Sequence, residues 1–225
     1  MSPSPGWWKK PRKVSVVVDN DSWVVPHTEE LVRTLNDNGD EAVLCRAHDD
    51  VAEGAVAYYI GCTSITPPEV LARSHRNLVV HASDLPKGRG FSPLTWQILE
   101  GCNDIPVCLL EAAAEVDSGP IVYRDGLRFE GHELIDEMRN ALGRKTVEMC
   151  LRFMDEETPP RGVSQEGEPT RYSRRHPEDS RLDPDRTIAE QFDLLRVVDN
   201  NRYPAYFDYR GRRYRVMVEK SDDRD

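Results

Sequence analysis

A chain of 225 residues, 38% of them hydrophobic, is long enough to close one sizeable core with a small appendage. Thirty basic against forty acidic residues give a formal charge of −10, which excludes nonspecific polyanion binding as the main role and leaves room for a local basic pocket. Five cysteines without CxxC spacing (Cys45, Cys62, Cys102, Cys108, Cys150) point to free thiols in a reducing compartment. With no apolar run of signal-peptide or membrane-spanning length, a soluble cytoplasmic protein that does not engage membranes is expected.

Short β-rich runs alternate with helical patterns, the signature of a parallel sheet covered by helices. Val14 to Val18 is nearly continuous in apolar residues, as a strand buried on both faces should be. Thr28 to Asn38 reads as a helix with Leu31 and Leu35 four apart, closed by Asn38-Gly39. Glu41 to Cys45 and Val56 to Ile60 supply the second and third strands. Thr66 and Glu69 stand at capping-box spacing before another helix, and Leu78 to His81 is the fourth strand. Ser92-Pro93 starts a helix that stops at Gly101, and Ile105 to Leu110 returns to strand. Ile121 to Phe129 reads as two short strands around Arg124-Asp125-Gly126.

The longest helix runs from about Glu133 to Met154, with Leu134, Ile135, Met138, Leu142, Val147, Cys150, Leu151 and Met154 at core spacing. A polar stretch without periodicity follows. Thr187 to Val198 then resumes as a helix, with a capping box from Thr187 to Glu190, and the run from Tyr206 through Arg210-Gly211 to Val218 reads as a hairpin. The expected fold is α/β: a mostly parallel, Rossmann-like sheet flanked by helices, with a small C-terminal helix plus β-hairpin module. Its divisions are an N-terminal tail over 1–11, an α/β core over 12–155, a polar wrapping loop over 156–186, the helix and hairpin over 187–219 and a disordered tail over 220–225.

Chemistry concentrates where the fourth strand ends. His81-Ala82-Ser83-Asp84-Leu85-Pro86-Lys87-Gly88-Arg89-Gly90 joins a histidine to a glycine-rich basic loop, and Val116-Asp117-Ser118-Gly119 follows 36 positions after the histidine. Taken singly, His81 reads as a strand-end residue, Asp117 as a turn aspartate and the glycine-rich stretch as an ordinary loop. Together with Val79-Val80, Trp96 to Gly101 and Pro120, these motifs resemble the folate-dependent formyltransferase superfamily. The similarity extends over roughly residues 12 to 218. It leans toward bacterial nucleotide-sugar N-formyltransferases through Arg171 to Ser180 and Leu195 to Gly211.

The resemblance implies catalytic roles for His81, stabilising an oxyanion, and Asp117, relaying protons, with 10-formyltetrahydrofolate as co-substrate; the six histidines show no metal-ligand spacing, so no metal is expected. Backbone groups of Leu85, Pro86, Lys87, Gly88, Arg89 and Gly90, together with Leu109 and Glu115, would hold the folate by the same resemblance. Arg124, Arg171, Arg174 and Arg175 are candidates for acceptor contact, although Arg171 to Arg175 also read as solvating or ion-paired residues. The family's third catalytic residue is an asparagine two positions before the histidine. This chain has Val79 there. Asn77 keeps the same strand parity but lies about 7 Å back along the strand from Val79. Asn77 and Ser83 are therefore carried as possible oxyanion or supporting groups, beside a side chain from the Cys62-Thr63-Ser64 loop.

The implied activity is formyl transfer to the primary amine of a nucleotide-linked amino sugar, in lipopolysaccharide or glycan biosynthesis, by a homo-oligomer without nucleic-acid partners. Alternatives are methionyl-tRNA or another amine as acceptor, hydrolysis of formyltetrahydrofolate, and a catalytically dead folate or nucleotide-sugar binding module. Net negative charge and only about 70 residues after the long helix weigh against tRNA.

Overall fold

The computed structural model describes residues 4–221. A six-stranded sheet is built from β1 (Lys13–Val17), β2 (Glu41–Cys45), β3 (Gly54–Tyr59), β4 (Ser74–His81), β6 (Asp104–Glu111) and β7 (Ile121–Arg128), in the order β2-β1-β3-β4-β6-β7. The first four neighbours run parallel, β6 runs antiparallel to β4, and β7 runs antiparallel to β6. A two-residue strand, β5 (Arg89–Gly90), lies outside this sheet.

Helix α1 (Val25–Asp37) begins three residues before the periodicity predicts, because Pro26 is already compatible with a first helical turn. Helix α2 (Pro68–Leu71) is a single turn whose N-cap is Pro67. The predicted Thr66 cap is not made. Strand β4 starts at Ser74, four residues early, since its ladder to β3 begins at Gly54↔Ser74 and carries the polar residues Arg76 and Asn77 along with it. Helix α3 (Pro93–Leu99) follows Ser92, and β7 is one continuous strand rather than two. Arg124, Asp125 and Gly126, which read as a turn, pair with Cys108, Val107 and Pro106, so the cross-strand ladder overrides local turn propensity.

Helix α4 (Ile135–Asp155) lays Met138, Val147, Cys150, Phe153 and Met154 on the sheet beside Leu31 and Leu35 of α1. The Tyr58 hydroxyl donates to the Cys150 carbonyl at 2.9 Å, tying β3 to α4. A smaller cluster, Val17, Cys45, Ala57, Tyr59 and Val70, closes with α2. All five cysteines are free thiols. Strand β8 (Arg171–Tyr172) pairs in parallel with β5, so the polar stretch crosses the molecule at that point. Helix α5 (Phe192–Val197) is preceded by the capping interactions between Thr187 and Glu190. Strands β9 (Ala205–Tyr209) and β10 (Arg212–Val216) form the C-terminal hairpin, whose base packs on Leu182, Leu195 and Val198.

Both predicted tails are partly structured. Trp8 is buried, edge-on to Phe153, and its indole N–H donates to the Glu156 carbonyl at 3.0 Å. Lys220 donates to Glu137 at 2.7 Å. Residues 222–225 of the C-terminal tail and residues 1–3 of the N-terminal one lie outside the described residues. Among the described residues no helix is long and apolar enough to cross a membrane.

Arg12 stitches these layers together. Its guanidinium donates to both Asp40 oxygens at 2.7 Å and to the Met154 carbonyl at 2.7 Å, and its carbon stands 4.7 Å from the Trp8 ring. Both side chains of the ion pair are almost wholly buried, so removing the acid strands a charge in the core. Asp40→Ala is therefore expected to cost about 3–5 kcal/mol, read by urea denaturation against the wild type.

Candidate functional site

Strand parity places Asn77, Val79 and His81 on one face of β4, and the strand ends with His81 paired to Cys108 of β6. The imidazole is only 6% exposed. Its Nε2 lies 2.8 Å from the Gly88 carbonyl oxygen, so that nitrogen carries the proton and donates, while Nδ1 faces Asp117 Oδ2 at 3.5 Å. The backbone N–H of Gly90 donates to the same Oδ2 at 2.9 Å. One carboxylate oxygen thus joins the histidine to the glycine-rich loop.

The chain reaches this geometry by tight approaches. Gly90 has φ +104°, and a Cβ there would stand 2.5 Å from the Tyr172 carbonyl oxygen. A Cβ at Gly119 would collide with the Glu111 carbonyl. Asp117 itself adopts φ +54°, a left-handed conformation that a non-glycine residue keeps only when its surroundings impose it.

Basic groups ring the pair. Arg89, buried despite its charge, lies 3.6 Å from Glu115 and donates to Gln165 Oε1 at 2.7 Å. Arg171 also pairs with Glu115. Arg124 donates to Asp84 at 2.9 Å and to the Leu85 carbonyl at 2.7 Å, bracing the turn that leads into Pro86. The Gly88 N–H donates to Thr170 Oγ1 at 2.8 Å, and Lys87 is exposed. Trp96 stacks on Tyr172 at 6.3 Å and donates to the Ser173 carbonyl. Burial, reinforced by the Glu100 carboxylate it donates to, pushes the Tyr172 hydroxyl well above the ordinary phenol range.

The structure thus brings together His81, Asp117, Leu85, Pro86, Lys87, Gly88, Arg89, Gly90, Glu115, Arg124 and Arg171. Four other candidates are engaged elsewhere. Asn77 donates to the Leu71 carbonyl at 2.8 Å and accepts from the Tyr59 hydroxyl at 3.2 Å, which spends its amide on the α2 side of the strand. The Leu109 side chain is core, and its backbone sits in the ladders between β4 and β7. Arg174 lies over the Phe91 ring at 4.8 Å. Arg175 is turned inward, donating to the Asp179 carbonyl at 3.0 Å, and burial lowers its pKa.

Ser83 is 1% exposed, and its hydroxyl has no hydrogen-bond partner among the described residues. Gln165 and Thr170 were not singled out from sequence, because they lie in a polar stretch whose composition is that of an ordinary loop, and Tyr172 entered only as part of the Arg171 to Ser180 motif.

The Cys62-Thr63-Ser64 loop is exposed at Thr63 and Ser64, and its backbone grips Asp19. That carboxylate accepts the N–H groups of Thr63 at 2.8 Å and Ser64 at 2.9 Å, the Asn20 amide at 2.8 Å, and lies 3.4 Å from His48 Nε2. Ligand-type atoms of Asp19, His48 and Cys62 lie within 4.8 Å of one another. The donors already around the carboxylate occupy its lone pairs, and burial pushes the Cys62 thiol up to about 12, so this cluster fits a loop tie better than a cation.

No protein-family model matches the chain. Over 91 residues it is 32% identical to the methionyl-tRNA formyltransferase of Rickettsia prowazekii, a stretch that is 40% of this chain and 30% of that relative. The chain thus matches less than a third of the length of such curated relatives. In structure it is similar to a methionyl-tRNA formyltransferase from Clostridium thermocellum (TM-score 0.79, 21% identity, 93% of each chain). It is also similar to a 4-N formyltransferase from Francisella tularensis (TM-score 0.71, 16% identity, 96% of this chain and 100% of the other). A third neighbour is HypX from Aquifex aeolicus in complex with tetrahydrofolic acid (TM-score 0.71, 15% identity, 92% of this chain and 38% of the other). The fold is that of the formyltransferases, as the sequence motifs led one to expect.

Burial by itself raises the Asp19 carboxyl, but the donors of Asn20, Thr63, Ser64 and His48 outweigh it and hold it well below the usual carboxylate range. A depressed folded-state pKa stabilises above the unfolded value of about 3.9 and is lost as pH falls through the folded one. Asp19→Asn should therefore cost about 2 kcal/mol at neutral pH, with the gap to the wild type closing in strong acid, read by denaturation across pH.

Proposed function

We propose that this protein transfers the formyl group of 10-formyltetrahydrofolate to the primary amine of a nucleotide-linked amino sugar. The observation that carries the reading is the buried approach of Asp117 Oδ2 to His81 Nδ1 at 3.5 Å, at a strand end facing a glycine-rich loop, on the formyltransferase fold. The Francisella and HypX neighbours, by their named activity and ligand, support the amine acceptor and the folate.

The co-substrate supplies an activated formyl carbon. Transfer forms one C–N bond to the amine and breaks the bond to the folate nitrogen, while one proton leaves the amine and one reaches that nitrogen. The chain meets these demands with a donor and an acceptor side by side. Nε2–H of His81, which donates to the Gly88 carbonyl here, becomes the donor for negative charge developing on the formyl oxygen when that oxygen takes the place of the Gly88 carbonyl. Asp117 gives a proton on Nδ1 its partner and stands next to the Gly90 N–H, placed to take the amine proton directly or through water.

Val79 offers no hydrogen bond, and Asn77 is spent. A second donor in the oxyanion hole is then best supplied by Ser83, a buried hydroxyl two residues past His81 that has no hydrogen-bond partner among the described residues. Gly88 and Gly90 let this loop pack directly against Tyr172, which a side chain at either position would meet. The matched stretch of methionyl-tRNA formyltransferases favours a second acceptor, methionyl-tRNA, against which the charge of −10 speaks.

Tetrahydrofolate release is the measurement, with 10-formyltetrahydrofolate and a panel of nucleotide-linked amino sugars, methionyl-tRNA, or no amine. Release that requires an amino sugar supports the reading. Release with methionyl-tRNA alone supports the second, formate without amine means hydrolysis, and folate binding without turnover of any amine means a binding module. His81→Ala and Asp117→Asn should each lower turnover about a hundredfold or more. Ser83→Ala should lower it about tenfold or more, whereas an unchanged rate would leave His81 as the only side-chain donor.

A further inference from the structure

The loop that carries Asp117 has few ties of its own. Ser118 closes locally on the Glu115 carbonyl at 3.3 Å, and the Gly90 N–H holds the carboxylate. The carbonyls of Asp117 and Gly119 are held by a residue 48 and 46 positions away, Gln165, whose Nε2 donates to them at 2.7 and 2.9 Å.

The sense of that amide is set by chemistry. Its Oε1 faces the Arg89 guanidinium, with Nη2 at 2.7 Å and Nε at 3.3 Å, and a guanidinium offers only donors. Oxygen must face Arg89, so both N–H groups point at the two carbonyls. Gln165 is itself anchored on each side. Val163 exchanges two 2.8 Å hydrogen bonds with Ile121, and the Thr170 carbonyl accepts the Arg89 N–H at 3.0 Å.

We infer that Gln165 is a positioning residue that sets the Asp117 carboxylate against His81. One amide grips the loop of Asp117 by its backbone and the loop of Gly90 by the neighbouring arginine. It therefore fixes the spacing of the two segments that the Gly90 to Asp117 hydrogen bond spans. The left-handed backbone of Asp117 persists because that amide, beside Gly90, imposes it. The catalytic consequence rests on the transferase reading above. The positional one does not.

Gln165→Glu separates the two halves: it keeps an acceptor for Arg89 and replaces both donors by an oxygen facing two carbonyls. With 10-formyltetrahydrofolate and the amino sugar turned over by the wild type, kcat is expected to fall about tenfold to a hundredfold while the KM for folate stays within about twofold. The ligand-free protein gives a second readout. At one fixed pH, the ring 15N shifts of His81 in Gln165→Glu should move in the same direction as in Asp117→Asn.

Gln165→Met, nearly isosteric and without either polar end, should show both changes, and it serves if the glutamate variant fails to fold. His81 shifts equal to the wild type's, with kcat within about twofold, would overturn the inference even if melting temperature fell, since that pattern is a purely structural role. If the wild type turns over no amine yet the His81 signals move, the positioning role stands and the transferase reading falls.

Discussion

Everything at the site depends on one carboxylate oxygen. Asp117 Oδ2 accepts the Gly90 N–H at 2.9 Å and faces His81 Nδ1 at 3.5 Å, so a loop after β6, a loop after β4 and the end of β4 itself meet at one atom. The segment of Gly90 is held there by the two-residue pairing of β5 with β8. The constraint explains the cluster of backbone features around it: Asp117 left-handed, Gly90 pressed against the Tyr172 carbonyl, and Gly119 against Glu111. Each is unfavourable for an ordinary residue in isolation, and together they are the cost of bringing an acid to a buried histidine.

The surrounding charges serve that meeting. Arg89, Arg171 and Glu115 form a small network beside the pair, and Arg124 braces Asp84 and the Leu85 carbonyl. A buried arginine is tolerated when it is hydrogen-bonded and ion-paired, and Arg89 donates to Gln165 and faces the Glu115 carboxylate at 3.6 Å. The polar segment that supplies Gln165 and Thr170 is therefore a wall of the site. Its β8 strand pairs with β5 and is pinned from outside by Trp96 stacking on Tyr172.

The missing asparagine marks where this chain departs from the pattern it resembles. Val79 packs with Tyr59 and Leu85 in apolar clusters, and Asn77 turns toward α2. Strand parity places the buried His81 at the end of β4 and Val79, which offers no hydrogen bond, two residues before it on the same face. Ser83, two residues past the histidine, is a buried hydroxyl without a hydrogen-bond partner among the described residues, and burying such a hydroxyl is unfavourable unless something accepts its proton.

The alternation of apolar runs and helical periodicity determined the α/β class, the long helix and the C-terminal hairpin, because burial of repeating faces is a local property of the chain. The meeting of His81 with Asp117 was anticipated only through the resemblance that their motifs carry together, since taken singly each reads as an ordinary strand-end or turn residue. What only the tertiary structure decided depends on contacts between distant segments. Arg124-Asp125-Gly126 reads as a turn until β6 supplies a ladder for it, and Trp8 reads as tail until Phe153 covers it. Arg175 reads as a ligand contact until the Asp179 carbonyl claims it. Gln165 lies in a stretch with no periodicity at all, and its two donors acquire meaning only when carbonyls 48 and 46 residues away arrive within hydrogen-bond reach. A polar side chain's role is set by its partners, and a sequence shows the side chain without them.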